Sequence, residues 1–341
     1  MQTYILGGYT KRNNQGIASI QLDPQAEKLS KYQVIDQLEG STFVTLSQDK
    51  RLLFAIDRHQ DQGGIVAYQK EVQAWKRLDQ IYTSQKNACH LSYHDDSHTI
   101  YASNYHEGSI DVYHLSDQGH LSHLQRLVHQ ASSVHPNQTS SHLHFTGFGP
   151  YPGFLYACDL GGDRVYTYRL QADGQLVKVT ELQTQPGMGP RHLVFHPNGK
   201  YAYIIGELNN QTLQVKVKED GSLEALEYFS NLGDQSFDRA DGGAIRISQD
   251  GHFLYTSTRF ADILTVFQIN NESGQLDLIQ TIPSGGEIPR DFTLSADDRH
   301  LLVGHQDSDQ LALFRRDSQT GELSLISRDT LAPECVCLAL A

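Results

Sequence analysis

Short runs of apolar, β-branched and aromatic residues recur along the chain, each bounded by turn residues. The stretch "GPRHLVFHPNGKYAYIIGEL", residues 189–208, shows the unit. "LVF" and "YAYII" read as strands, and "HPNGK" reads as a turn, because Asn and Gly tolerate positive φ. Folded about Gly199, this hairpin sets Arg191 opposite Glu207 at its open end. An isolated rim ion pair is worth little, so one hairpin does not separate a surface pair from a site.

The hairpin is repeated. Its second strand centres on Tyr203, and similar strands centre on Ile5, Phe54, Tyr101, Tyr156, Tyr255 and Val303, at intervals of 47 to 55 residues. That spacing approximates one four-stranded propeller blade, ~40–50 residues. Six anchors follow a partner strand, as in "TFVTLSQD", "CHLSYHDD" and "SHLHFTGF"; the first has none. "PECVCLALA" at the other terminus has the missing strand character. A third strand follows each anchor ("SIDVYHL", "RVYTYRL", "ILTVFQI"), and several of these run into Gly-Xaa-Leu turns. The pattern predicts an all-β protein: one domain, residues 1–341, forming a seven-bladed β-propeller of four-stranded antiparallel blades. Ring closure is predicted between Cys335–Leu340 and the N-terminal blade, which leaves only short, protected edges. Two β-sandwiches would not produce seven similar intervals. Very little helix is expected, and Tyr101, Tyr156, Tyr203 and Tyr255 are assigned to the core.

Composition narrows the function. No apolar run approaches the ~20 residues of a membrane span. "MQTYILGGYT" lacks the charged and apolar regions of a secretory signal. Cys89, Cys158, Cys335 and Cys337 show no metal-type spacing, so a reducing cytoplasm is expected. The net charge of −13 argues against nucleic acid and anionic membranes as partners. It leaves room for a small anionic ligand held by a local basic cluster. Nothing in the composition bears on oligomeric state.

In a propeller the start of each inner strand and the end of the second strand share one face of the disc. That face collects Tyr9, Asp57, Arg58, His90, Asn104, Tyr105, His142, His144, Asp159, Arg191, His192, Glu207, Arg259, Arg290, Asp291, Gln306 and Asp307. The opposite hairpin ends read "SQDK", "PNGK" and "SQDG", plain turn chemistry. The asymmetry points to a polar ring around one mouth of the channel. "GGDRVY" at Gly161 reads as a structural corner, and His94, His98, His120 and His123 read as solvated.

These motifs resemble a known family, the seven-bladed propeller lactonases, which includes cycloisomerase-2-type 6-phosphogluconolactonases and the fungal carboxy-cis,cis-muconate lactonizing enzyme. "GGYTKRNNQGI", "ACHLS" with "ASNYHEGSIDVY", "SSHLHF" with "CDLGGDRVYTY", "GPRHLVFHPNGKYAYIIGEL", "IRISQDGHFLYTSTR" and "IPRDFTLSADDRHLLVGHQDSD" carry the resemblance across the chain. It implies a catalytic set of His144, Arg191, Glu207 and Arg259. Here His-Leu-His-Phe replaces His-Ala-His-Cys, Thr258 replaces an asparagine, and Gly206 stands where Asn-Glu-Leu has its asparagine. Opening a lactone needs an activated water and a stabilised oxyanion. His144 or Glu207 would take the proton, and Arg191 and Arg259 would hold oxygen. His142, His192, Arg290, Asn104, Tyr105 and Gln306 would bind substrate, with Arg290 on a phosphate. The reading is a hydrolase of a phosphorylated sugar lactone, foremost 6-phosphogluconolactone, with no cofactor and no metal. The same residues leave open a muconate-type cycloisomerase, and a non-enzymatic scaffold is a further alternative. A metal at Glu207, Asp159, Asn104 and two histidines is disfavoured by the arginines around them.

Overall fold

A computed structural model describes residues 1–72 and 74–341. The described residues form strands, turns and bends, with no helix. The strands make seven antiparallel sheets arranged as a ring of blades. In the fifth blade, from the axis outward, the strands are Pro190–Phe195, Tyr201–Gly206, Gln211–Val217 and Leu223–Ser230. The other blades repeat this order. The first is composite: Cys335–Leu340 supplies its inner strand, pairing antiparallel with Gln2–Gly8 through Tyr4↔Leu340 and Leu6↔Leu338. Its outer strand is broken into Lys28–Leu29 and Gln33–Gln37.

The apolar pattern follows from position in the blade. A second strand has a neighbour on each edge and a blade against each face, so Thr99–Asn104 and Phe154–Asp159 are buried at every position. Outer strands such as Leu121–Val128 face water and are mostly exposed. All seven anchor residues are fully buried. The core is divided into seven apolar clusters, each filling the seam between two neighbouring blades. One seam joins Tyr4, Leu6 and Ala18 of the first blade to Leu302, Leu311 and Leu313 of the last. Each large side chain buried there contributes about 1.5–3 kcal/mol.

The Gly-Xaa-Leu turns also join blades. The anchor hydroxyls of Tyr101, Tyr203 and Tyr255 donate to the carbonyls of Gly174, Gly274 and Gly321 in the adjoining blade, at 2.7, 2.7 and 3.0 Å. Gly321 has φ +74°, and a Cβ there would lie 2.2 Å from Cδ1 of Phe253. The turn therefore needs both the left-handed backbone and the missing side chain. Gly321→Ala should lower stability by about 2 kcal/mol or more, combining the left-handed penalty with the clash. A fall in the urea midpoint at unchanged slope would show it.

Candidate active site at the channel mouth

Five inner strands lose register near the same face. The ladder slips between Leu143 and Phe145, Pro190 and His192, Gly242 and Ile245, Pro289 and Asp291, and Cys335 and Cys337. The residues left out of pairing are His144, Arg191, Gly243 with Ala244, Arg290 and Val336. A bulge leaves a residue free of the ladder and re-aims its side chain, and three of these five bulges carry a histidine or arginine. The fifth-blade bulge corrects the hairpin register. Leu193 pairs Ile204, so the hairpin folds between Asn198 and Gly199, one half-step from the centre on Gly199. Residues 191 and 207 are therefore not ladder partners, and the bulge itself brings their side chains together.

Glu207, just beyond its strand, accepts from two guanidinium groups on one oxygen. Oε2 lies 3.0 Å from Arg191 Nε and 2.7 Å from Arg259 Nη2. Arg191 Nη1 also donates to the Gly243 carbonyl at 2.7 Å and to His192 Nε2 at 3.3 Å. Arg259 donates through Nε and Nη2 to the Gly242 carbonyl. Among the described residues, Arg191 Nη2 and Arg259 Nη1 have no hydrogen-bond partner, and Arg290 has neither hydrogen bond nor ion pair. His144, Glu207, Arg259, Arg290, Tyr105 and Cys89 line a cavity of about 700 Å³ that opens at this mouth. Arg191 stands behind Glu207 in its wall. Three arginines thus surround one carboxylate.

Burial pushes the Glu207 carboxyl up, but Arg259, Arg191 and Arg290 outweigh it and hold the group below its usual range. Burial, then Arg290 and Arg259, pull Arg191 below its ordinary value. Burial, reinforced by Arg191, Arg290 and Arg259, keeps His144 well below an ordinary histidine and therefore neutral. His144 Nδ1 is buried without a partner among the described residues. Burial pushes the Cys89 thiol and the Tyr105 phenol up to about 12, so both stay protonated. Below His144 the imidazoles continue along the axis: His144 to His192 at 5.1 Å and His192 to His90 at 5.5 Å between ring centres. His192 and His90 are also held well below the usual range by burial, with Arg191 adding to His192 and Arg246 to His90.

Other residues assigned to this face do different work. Asn104 is not free for substrate: Nδ2 donates to the Lys86 carbonyl at 2.7 Å, and Oδ1 accepts from the Glu107 amide. Gln306 lies outside the cavity, where its carbonyl accepts from Arg12. His142 lies behind the wall, stacked on Tyr105 at 4.2 Å, with Nδ1 against the Tyr105 carbonyl. It orients Tyr105 and does not line the cavity. His192 sits deeper, against Arg191. Asp57 and Asp159 lock loops: Asp57 accepts from Glu39 N–H and Tyr82, and Asp159 from His142 N–H, Gly162 N–H and Tyr166. Asn104 and Asp159, two of the donors considered for a metal, are thus both engaged in holding loops. His90 and Asp291 belong to the opposite end, where they line a smaller cavity with Arg246, which pairs with Asp291 at 2.7 Å. Arg290 is the bulged residue and Asp291 rejoins the ladder opposite Gly304, so these neighbours part. His123 is not simply solvated; its Nε2 meets buried Asp111 at 2.9 Å. Asp163 of "GGDRVY" accepts from Gly187 and Gly189 N–H groups and holds the loop that enters Arg191's strand.

The strand pattern did not single out Thr10, Lys11, Glu39, Lys86, Cys89 and His106, which also line the cavity. Apart from His106, which follows the end of a second strand, they lie in the approaches to inner strands or just past the first-blade anchor. The available signal was "GGYTKR" and the loop before "ACHLS".

The fold is a seven-bladed propeller whose channel mouth gathers three arginines near one carboxylate, and comparison with known proteins agrees with the fold. The model of the family described as "Lactonase, 7-bladed beta-propeller" matches residues 3–340, and the chain belongs to that family. It is 33% identical over 344 residues to the 6-phosphogluconolactonase of Bacillus subtilis (strain 168), covering 99% of this chain and 98% of the relative. A crystal structure of a Lactobacillus plantarum protein superposes with a TM-score of 0.96 at 34% identity, covering 100% of both chains. The Pseudomonas aeruginosa periplasmic gluconolactonase superposes with a TM-score of 0.92 at 28% identity, covering 99% and 98%. No helix among the described residues is long and apolar enough to cross a membrane.

The row of neutral histidines couples stability to pH. The unfolded chain protonates them near pH 6.5, whereas the folded chain does so only at lower pH. Their stabilising contribution is full above about pH 6.5 and declines below it, down to the folded-state values. His90→Gln should remove up to ~1.4 kcal/mol per pH unit of that acid slope. Urea unfolding between pH 5 and 7.5 measures it; an unchanged slope would show that His90 titrates alike in both states.

Proposed function

We propose that the chain is a carboxylic ester hydrolase that opens 6-phosphogluconolactone to 6-phosphogluconate in the cytoplasm. The observation that carries the reading is the cluster at the mouth: three arginines, two sharing one carboxylate oxygen, beside a neutral histidine. Such a pocket favours an anionic substrate whose negative charge grows during reaction. The named relatives supply the reaction class and the substrate, and the pattern of unpaired cysteines supports the compartment.

In this reading a water attacks the lactone carbonyl while His144 takes its proton. The carbonyl oxygen becomes an oxyanion held by the free Nη1–H of Arg259, which lines the cavity, while Arg191 fixes Glu207 from behind. The intermediate then expels the ring oxygen, which takes the proton back from His144, and the new carboxyl ionises. Glu207 is a weak base because the arginines depress it; its role is to hold both guanidiniums in place. Arg290, free of protein partners, takes the substrate's phosphate charge. A bound phosphate also offsets the arginines that disfavour the His144 imidazolium, so substrate raises the basicity of its own base.

The test is hydrolysis of freshly made 6-phosphogluconolactone by purified protein. Arg259→Ala should lose about 10²–10³ in turnover, the usual cost of one oxyanion donor. Arg58→Ala, at the rim of the same mouth, should lose far less. Equal losses in well-folded variants would assign Arg259 to the rim. Turnover should persist in chelator, and restoration of a lost activity by one metal would contradict the mechanism. Because a depressed His144 remains deprotonated on acidification, the acid limb of kcat/KM should fall well below pH 6.5. His144→Asn should abolish that limb along with most of the activity.

A further inference from the structure

We infer that Lys11 and Lys86 form, with Arg290, a phosphate subsite at the outer edge of the pocket, and that these two lysines set its preference for phosphorylated over unphosphorylated lactones. The inference rests on the hydrolase reading above and extends it to residues outside the arginine–glutamate cluster.

Both lysines line the cavity that holds His144, Glu207, Arg259 and Arg290. Lys11 Nζ lies 4.6 Å from the centre of the Tyr9 ring, and the Arg290 guanidinium lies 5.8 Å from the same centre. Both cations, the outer ammonium and the inner arginine that has no protein partner, therefore contact one aromatic ring in the wall of the cavity. Each ring contact is itself weakly favourable and leaves the cations' N–H groups available.

The loops that carry these lysines are held firmly. A buried carboxylate, Glu334, accepts from the backbone N–H groups of Lys11, Arg12, Asn13 and Asn14 at 2.8 to 3.2 Å. The Lys86 N–H donates to Glu107 at 3.1 Å, and its carbonyl accepts from Asn104 at 2.7 Å. Loop backbone fixed in this way lowers the ordering cost of binding. Neither ammonium has an ion-pair partner among the described residues. The third rim cation, Arg58, differs: it faces Glu39 at 3.9 Å and Asp61 at 3.6 Å and donates to the Gln60 carbonyl at 3.1 Å. Of the rim cations, the two lysines alone keep their charge uncommitted, in a chain whose net charge is −13. A phosphate monoester dianion has the charge to engage Arg290 and both lysines, and a neutral sugar hydroxyl does not.

The experiment compares Lys11→Gln, Lys86→Gln and the double variant with the parent protein on two substrates, 6-phosphogluconolactone and glucono-1,5-lactone. The readout is the ratio of the two kcat/KM values. Each single variant should lower that ratio about 10-fold, the size of one charge-assisted hydrogen bond, and the double variant by more. Added salt should shrink the parent's preference more than the double variant's, because these charges lie at the solvent edge. Binding of 6-phosphogluconate against gluconate, measured by calorimetry without turnover, should show the same loss of discrimination. If the parent hydrolyses neither lactone but its discrimination in binding falls in the variants, the hydrolase reading fails and the subsite stands. An unchanged ratio in both measurements, or equal loss on both substrates, overturns the subsite.

Discussion

Closure of the ring is the constraint on which everything else rests. The ladder between Cys335–Leu340 and Gln2–Gly8 completes the first blade and forms its seams with the second and last blades. Without it two blades would present open edges and bare apolar faces, the condition propellers avoid. The same strand reaches the mouth that carries the candidate site. Glu334, one residue before it, gathers the backbone of Lys11 to Asn14. On the opposite side Asp291 accepts from Leu338 N–H at 2.9 Å. Joining the chain's ends therefore also shapes one wall of the pocket.

Stability and the proposed chemistry are spatially separated. Stability comes from seven apolar seams lying away from the axis. The axis itself carries three guanidiniums, one carboxylate and a row of neutral imidazoles, so like charges stand close together. Loss of solvent, then repulsion from Arg290 and Arg259, act on Arg191. The rigid ring holds these groups near one another, and in the proposed function an anion at the mouth would relieve part of the repulsion. Ligand binding to such a site stabilises the fold by mass action.

The polar residues at the mouth divide into two sets. Asp57, Asp159, Asp163, Asn104 and Glu107 satisfy backbone groups of loops that would otherwise be buried without partners. His144, Arg191, Arg259, Arg290 and Glu207 face the axis. Bulges make the difference for three of these. Within a regular ladder a side chain alternates between the two faces of its sheet and packs into a seam. A residue dropped from the ladder can turn toward the channel, as His144, Arg191 and Arg290 do.

The sequence by itself determined the blade count, the strand order and the closure. These depend on short, mainly apolar strands bounded by turn residues and on a repeat length, both written in local residue order, as the buried anchors from Ile5 to Val303 show. It also marked the face on which chemistry would gather, because strand direction follows from counting strands. It did not separate Asn104 and Gln306 from Arg290, or His90 and Asp291 from His144. Those distinctions depend on a one-residue slip in an inner strand and on which loop each polar group caps, and neither leaves a periodic trace. Lys11 and Lys86 were hidden for the same reason. They sit on irregular loops whose positions are set by Glu334, Glu107 and Asn104, residues that meet those loops only once the blades have packed.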